Sequence, residues 1–96
     1  MSTSNADVTT EHASRYLQQL CKHWAHKFPV TFDPNHGEIE LTIGRTVMDA
    51  NATTLHIALT ASDATQIEQL ERVVEDHIKR FAFREELAFH WQHAAA

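Results

Sequence analysis

Two stripes of apolar residues at helical spacing bracket a run in which apolar residues alternate one by one. In the first stripe Ala13, Tyr16, Leu17, Leu20, Trp24 and Phe28 recur three and four apart. A helix turning about 100° per residue gathers them on one side. Ile67, Leu70, Val74, Ile78 and Phe81 form the second stripe. Between the two, the period changes to two. "EIELTI" puts Ile39, Leu41 and Ile43 on one face, "TVMDA" adds Met48 and Ala50, and "LHIALT" adds Leu55, Ile57 and Leu59. Striped helices and one-faced strands must each bury their apolar side against another element. The pattern predicts an α+β two-layer sandwich, with two amphipathic helices on one face of an antiparallel sheet, in the order α-β-β-β-β-α.

Local signals set the expected boundaries. Thr9 or Thr10 can cap the first helix, and Pro29 ends it, because the residue before a proline is pushed out of the α region. "VTFD" offers a short strand with Val30 and Phe32 on one face, and "PNHG", Gly44 with Arg45, and "NATT" read as turns. Ser62 or Asp63 caps the second helix. "LAFHW" alternates again and predicts a C-terminal strand over 87–91. If that strand ran parallel to the one before the second helix, the crossover would be right-handed. Residues 1–8 are small and polar and are expected to be disordered, and 93–96 to be loose, which leaves a single domain over 9–92.

Charge narrows the partners. Eight Lys and Arg against thirteen Asp and Glu give a formal net charge of −5. Nucleic-acid binding rests on basic residues neutralising phosphates, and anionic membranes also attract basic segments. Neither partner is expected. "MSTSNADVTT" lacks the apolar stretch of a signal peptide, no run approaches the roughly 20 apolar residues that span a bilayer, and Cys21 is the one cysteine. A cytoplasmic protein without an intrachain disulfide is the expectation. Histidine is the outlier: eight are present, and protonating all of them would reverse the sign of the net charge.

Three blocks, "SRYLQQLCKHWAHKF", "HGEIELTIG" and "HIKRFAFREELAFHW", resemble in order and spacing the bacterial domain-of-unknown-function family 2218, from about residue 10 to about residue 92. The family-like positions are Arg15, Tyr16, Leu17, His23, His26, Gly37, Gly44, His77, Arg80, Phe81, Arg84, Glu85 and Trp91. The resemblance implies a small bacterial protein whose relatives occur joined to, or beside, siderophore-interacting and iron-uptake proteins. Such a protein is the partner it suggests.

Candidate site residues fall into three groups. His23 and His26, three apart, stand side by side on a helix, whereas Cys21 lies about 160° around the axis from His23 and cannot join them. A zinc site needs three or four protein ligands, so a third must come from elsewhere, such as His77, Glu85 or His90, and His77 completes the proposed metal set for zinc or iron. His77 sits within about 40° of the centre of the second stripe. It is either a core histidine bonded to a carbonyl or hydroxyl, or a general base in a small enzyme. Arg80, Arg84 and Glu85 straddle the end of the second helix and form the proposed ligand set, because guanidinium forks grip carboxylate or phosphate. No glycine-rich phosphate loop, C-x-x-C or H-E-x-x-H motif accompanies them. The reading these features favour is a non-enzymatic binding or accessory domain, and the family resemblance implies iron or siderophore handling as its setting. The polar outer face of the sheet offers a surface for a homodimer.

Overall fold

Six antiparallel strands carry two helices on one face in the computed structural model, which describes residues 1–95. The order along the chain is β1 (Ser2–Thr9), α1 (Ala13–Trp24), β2 (Val30–Phe32), β3 (His36–Leu41), β4 (Gly44–Ala50), β5 (Thr54–Ala61), α2 (Ala64–Phe81) and β6 (Gln92–Ala95). Across the sheet the order is β2-β3-β4-β5-β1-β6, with every neighbouring pair antiparallel. Helix α1 lies over β2 to β5, and α2 over β5, β1 and β4. The fold is the expected α+β class with one helix-covered sheet face.

The core follows from the alternation. Ile39, Met48, Leu55, Ile57 and Leu59 point from the sheet into Leu17 and Leu20 of α1 and Ile67, Leu70, Val74 and Ile78 of α2, all sealed from solvent. Gly37 lets α1 come close: a Cβ there would sit 2.7 Å from the Cys21 sulfur and 3.1 Å from Leu17. Asp63 caps α2 by accepting a 2.9 Å bond from the Gln66 amide, an arrangement worth about 1 kcal/mol.

Five expectations need correction. Residues 1–8 are expected to be disordered, but Ser2–Thr9 form β1, paired along its length with β5 and flanked by β6. Its inward residues Ser2, Ser4, Ala6 and Val8 are buried but small, so the alternation carries little hydrophobic contrast. The last strand is β6, not 87–91. Leu87 is buried and Phe89 and Trp91 half-buried against the core, but they belong to an irregular segment held by side-chain contacts. Residues 93–95, expected to be loose, are in β6, which pairs antiparallel with β1 and removes the parallel crossover; residue 96 lies outside the described residues. The β3–β4 turn is Thr42–Ile43 rather than Gly44–Arg45, which brings Ile43 out of the strand. Helix α1 begins at Ala13 after an uncapped His12 and ends at Trp24, several residues short of Pro29. Neither helix is long and apolar enough to cross a membrane.

Candidate functional site

Two cavities lie along the seam between the helices. The larger, about 510 Å³, opens between the start of α1 and the segment that follows α2. Glu11, His12, Arg15, Tyr16 and Gln19 line it from α1 and its lead-in, and Phe81, Phe83, Arg84 and Glu85 from the other side. Glu85 builds this wall. Its carboxylate accepts hydrogen bonds from the Tyr16 hydroxyl and from Thr10 Oγ1, the latter at 3.1 Å. Burial, together with the bond to Glu85, pushes the Tyr16 phenol up to about 12, so it stays protonated and donating. Arg84 stacks on Phe83, with the guanidinium carbon 5.4 Å from the ring centre. Among the described residues neither Arg15 nor Arg84 is paired with a carboxylate.

A second cavity, about 320 Å³, runs between the end of α1, the β3–β4 turn and α2. His23, Trp24, Lys27 and Phe28 line it with Leu41, Thr42, Ile43, Val73 and His77. The His23 and His77 rings are 5.1 Å apart, and His77 also lies 5.0 Å from Trp24. His77 Nδ1 is 2.7 Å from the Val73 carbonyl oxygen. A carbonyl can only accept, so Nδ1 carries the proton and Nε2 of the neutral ring is the acceptor. Desolvation where its ring packs on His77 and Phe81 holds the otherwise exposed His23 below the usual histidine range, and His77, Lys27, Arg80 and His26 add to the effect through their positive charge.

The expected site residues therefore divide differently. His23 and His77 meet, as their places on the two helices allow. Among the described residues no group of three or more His, Cys, Asp and Glu is arranged to hold a metal ion. His26 and Arg80 instead join His23, Lys27 and His77 in one basic neighbourhood. Arg84 and Glu85 belong to the other cavity, where Glu85 is a brace for Tyr16 and Thr10. Cys21 is fully buried, and burial pushes its thiol up to about 11, which leaves it inert.

Arg15 and His12 escaped the sequence reading as site residues. Their signal was position: both precede Tyr16 on the polar flank of the first stripe, Arg15 by one residue and His12 by four. A buried carboxylate was missed too. Glu71, 7% exposed, accepts from Ser4 of β1 and contacts His93 of β6. Its place within the second stripe, four after Ile67 and three before Val74, was the available clue.

The model of a family described as an uncharacterised protein conserved in bacteria, DUF2218, matches residues 5–92. The chain belongs to this family. The match begins inside β1, earlier than the resemblance at about residue 10 suggested, so residues 5–9 of that strand fall within the DUF2218 domain. Among solved structures the chain is similar to PA4090 from Pseudomonas aeruginosa, determined by NMR, at 36% identity and a TM-score of 0.81, with 96% of each chain covered. No curated protein matches the chain.

Proposed function

We propose that this DUF2218 protein is a non-enzymatic binding domain of the bacterial cytoplasm that holds a small polyanion in the cleft between α1 and the segment after α2. The observation that carries this reading is the pair of guanidiniums, Arg15 and Arg84, which face one 510 Å³ cleft without carboxylate partners among the described residues. Guanidinium forks bind carboxylates and related oxyanions with two parallel bonds. Tyr16, Phe81 and Phe83 add aromatic surface for the ligand's body. Anionic ferric siderophores and hydroxycarboxylate chelates have this chemistry, and the neighbourhood suggested by the family resemblance makes iron handling the setting, with a siderophore-interacting or iron-uptake protein as partner.

Calorimetric titration with anionic ferric siderophores, their iron-free forms and ferric citrate tests it. Arg15→Gln and Arg84→Gln should each weaken binding about tenfold or more, the worth of one charge-assisted hydrogen-bond pair. No binding across the panel, or equal binding by both variants, would sink the proposal.

Base chemistry has one supporting observation, the His77 Nε2 left without a bond among the described residues, beside an open groove, while Nδ1 holds the Val73 carbonyl. Zinc or iron on His23, His26 and His77 rests only on the juxtaposition of two imidazoles, and the cationic neighbours Lys27 and Arg80 oppose a metal cation there.

A further inference from the structure

The 320 Å³ groove combines two properties that the anion cleft does not share. Its walls are apolar: Trp24, Phe28, Leu41, Ile43 and Val73 come from three separate elements, and all but Trp24 keep part of their surface open to water. Its polar lining is basic, with Lys27 and the imidazoles of His23 and His77, and no carboxylate lines it. Arg80 and His26 lie close enough to act on His23 electrostatically. A chain with a net charge of −5 has therefore lined one apolar groove with three basic groups and set two more near His23.

We infer that this groove binds an amphipathic carboxylate, a short acyl or single-ring aryl acid, with its body against Trp24, Phe28 and Ile43 and its carboxylate at Lys27, His23 and His77. The volume lies at the lower end of ligand pockets, which run about 300–1,000 Å³. Covering half-exposed apolar side chains drives the body in, at about 25 cal/mol per Å² removed from water. The charged head selects the class. A metal cation would meet repulsion from Lys27 and Arg80, whereas a carboxylate gains from every basic group at the rim. His77 suits the role: its Nδ1 is committed to the Val73 carbonyl, so protonating Nε2 turns that atom into a donor for the incoming oxygen. The groups facing His23 are His26 and Lys27 on its own side and His77 and Arg80 on α2, all basic. A bound carboxylate would be the first negative charge among them, and it would reverse the depression of the His23 proton affinity.

The experiment is an NMR titration of the full chain with decanoate, following the Trp24 indole and the His23 and His77 ring protons, with decanol as the neutral counterpart. Decanoate should give saturable shifts at these residues, bind at least about tenfold more tightly than decanol, and move the His23 titration midpoint upward. Lys27→Ala and His23→Gln, both at exposed positions, should weaken decanoate about tenfold and leave decanol unchanged. Equal affinity for decanol overturns the charged-head assignment. Absence of saturable shifts at Trp24 overturns the site. A response to phosphatidylglycerol vesicles but none to monomeric decanoate overturns the ligand class in favour of a membrane surface. Because ferric chelates report at Tyr16 and Phe83, failure at the groove is distinguishable from failure at the cleft.

Discussion

His36 shows how a single side chain on the uncovered sheet face responds to pH. Its Nδ1 is 2.6 Å from an Asp49 oxygen and its Nε2 2.9 Å from a Glu38 oxygen. Carboxylates only accept, so both contacts are hydrogen bonds when the ring is protonated. The bonds to Asp49 and then Glu38 raise the His36 proton affinity, and the bonds to His36 and then Arg45 lower that of Glu38. A raised histidine stabilises fully below its unfolded value and loses that contribution as pH rises through the folded one; a lowered carboxylate contributes above its unfolded value and loses it as pH falls. With ordinary values of 6.5 and 4.5, this cluster contributes most between about pH 4.5 and 6.5. His36→Gln should lower the melting temperature there and converge on wild type as pH rises through the raised His36 value. His23 has the opposite sign. Its lowered proton affinity costs stability as pH falls below 6.5, so His23→Gln should melt higher than wild type in acid while losing groove affinity. If the two variants shift in the same direction at acid pH, one of the assignments is wrong. Thr46 supplies a test without charge: it is sealed in the core, and among the described residues its hydroxyl has no partner. Thr46→Val should raise stability by about 1 kcal/mol in denaturant melts, since an unsatisfied buried hydroxyl is replaced by a methyl of like shape.

Strand β1 is the element whose importance the sequence least advertises. The stripes of α1 and α2 and the alternation of β3 to β5 were legible because most inward positions hold large apolar side chains, with Gly37, Thr46 and Glu71 as exceptions. In β1 the inward positions are Ser2, Ser4, Ala6 and Val8, and the first two are polar. Ser4 is tolerated at 0% exposure because it donates to Glu71 of α2, a contact between residues 67 apart that local pattern cannot reveal. The reverse error occurred at 87–91. Leu87, Phe89 and Trp91 alternate, yet what fixes them is packing and single bonds such as Trp91 Nε1 donating to Glu75 at 2.9 Å. The two cavities were half legible for the same reason: Arg84, His23 and His77 stood out as residue types, but their sorting into a guanidinium cleft and a basic groove depends on how the helices and the chain after α2 come together. Because β1 pairs with β5 on one side and β6 on the other, a chain beginning at residue 10 loses an interior strand and leaves β6 unpartnered. It should show no cooperative thermal transition and poor amide dispersion by NMR. A cooperative melt close to wild type would show that β1 is dispensable.

The two layers together make adjacent residues of one strand behave as opposites. Helices cover only one sheet face, so the other carries Asp7, His36, Glu38, Arg45, Asp49 and His56, and cross-strand pairs such as His56 with Asp7 at 2.5 Å satisfy it. In β4, Met48 points into the helix layer with no exposed surface, while Val47 points the other way, opposite Glu38 of β3 and Ala58 of β5. A lysine at 48 would bury an unpaired ammonium, which costs far more than the marginal stability of a domain this size. A lysine at 47 meets water on one side and the Glu38 carboxylate across the strand, a neighbour worth a few tenths of a kcal/mol in its favour. Met48→Lys should therefore fail to fold, and Val47→Lys should keep the wild-type fold with a change within about 0.5 kcal/mol. Circular dichroism and denaturant melts of the two variants decide it. If Val47→Lys is as damaging as Met48→Lys, the outer face is covered in solution, by a second copy or another chain, and the sheet is not one-sided.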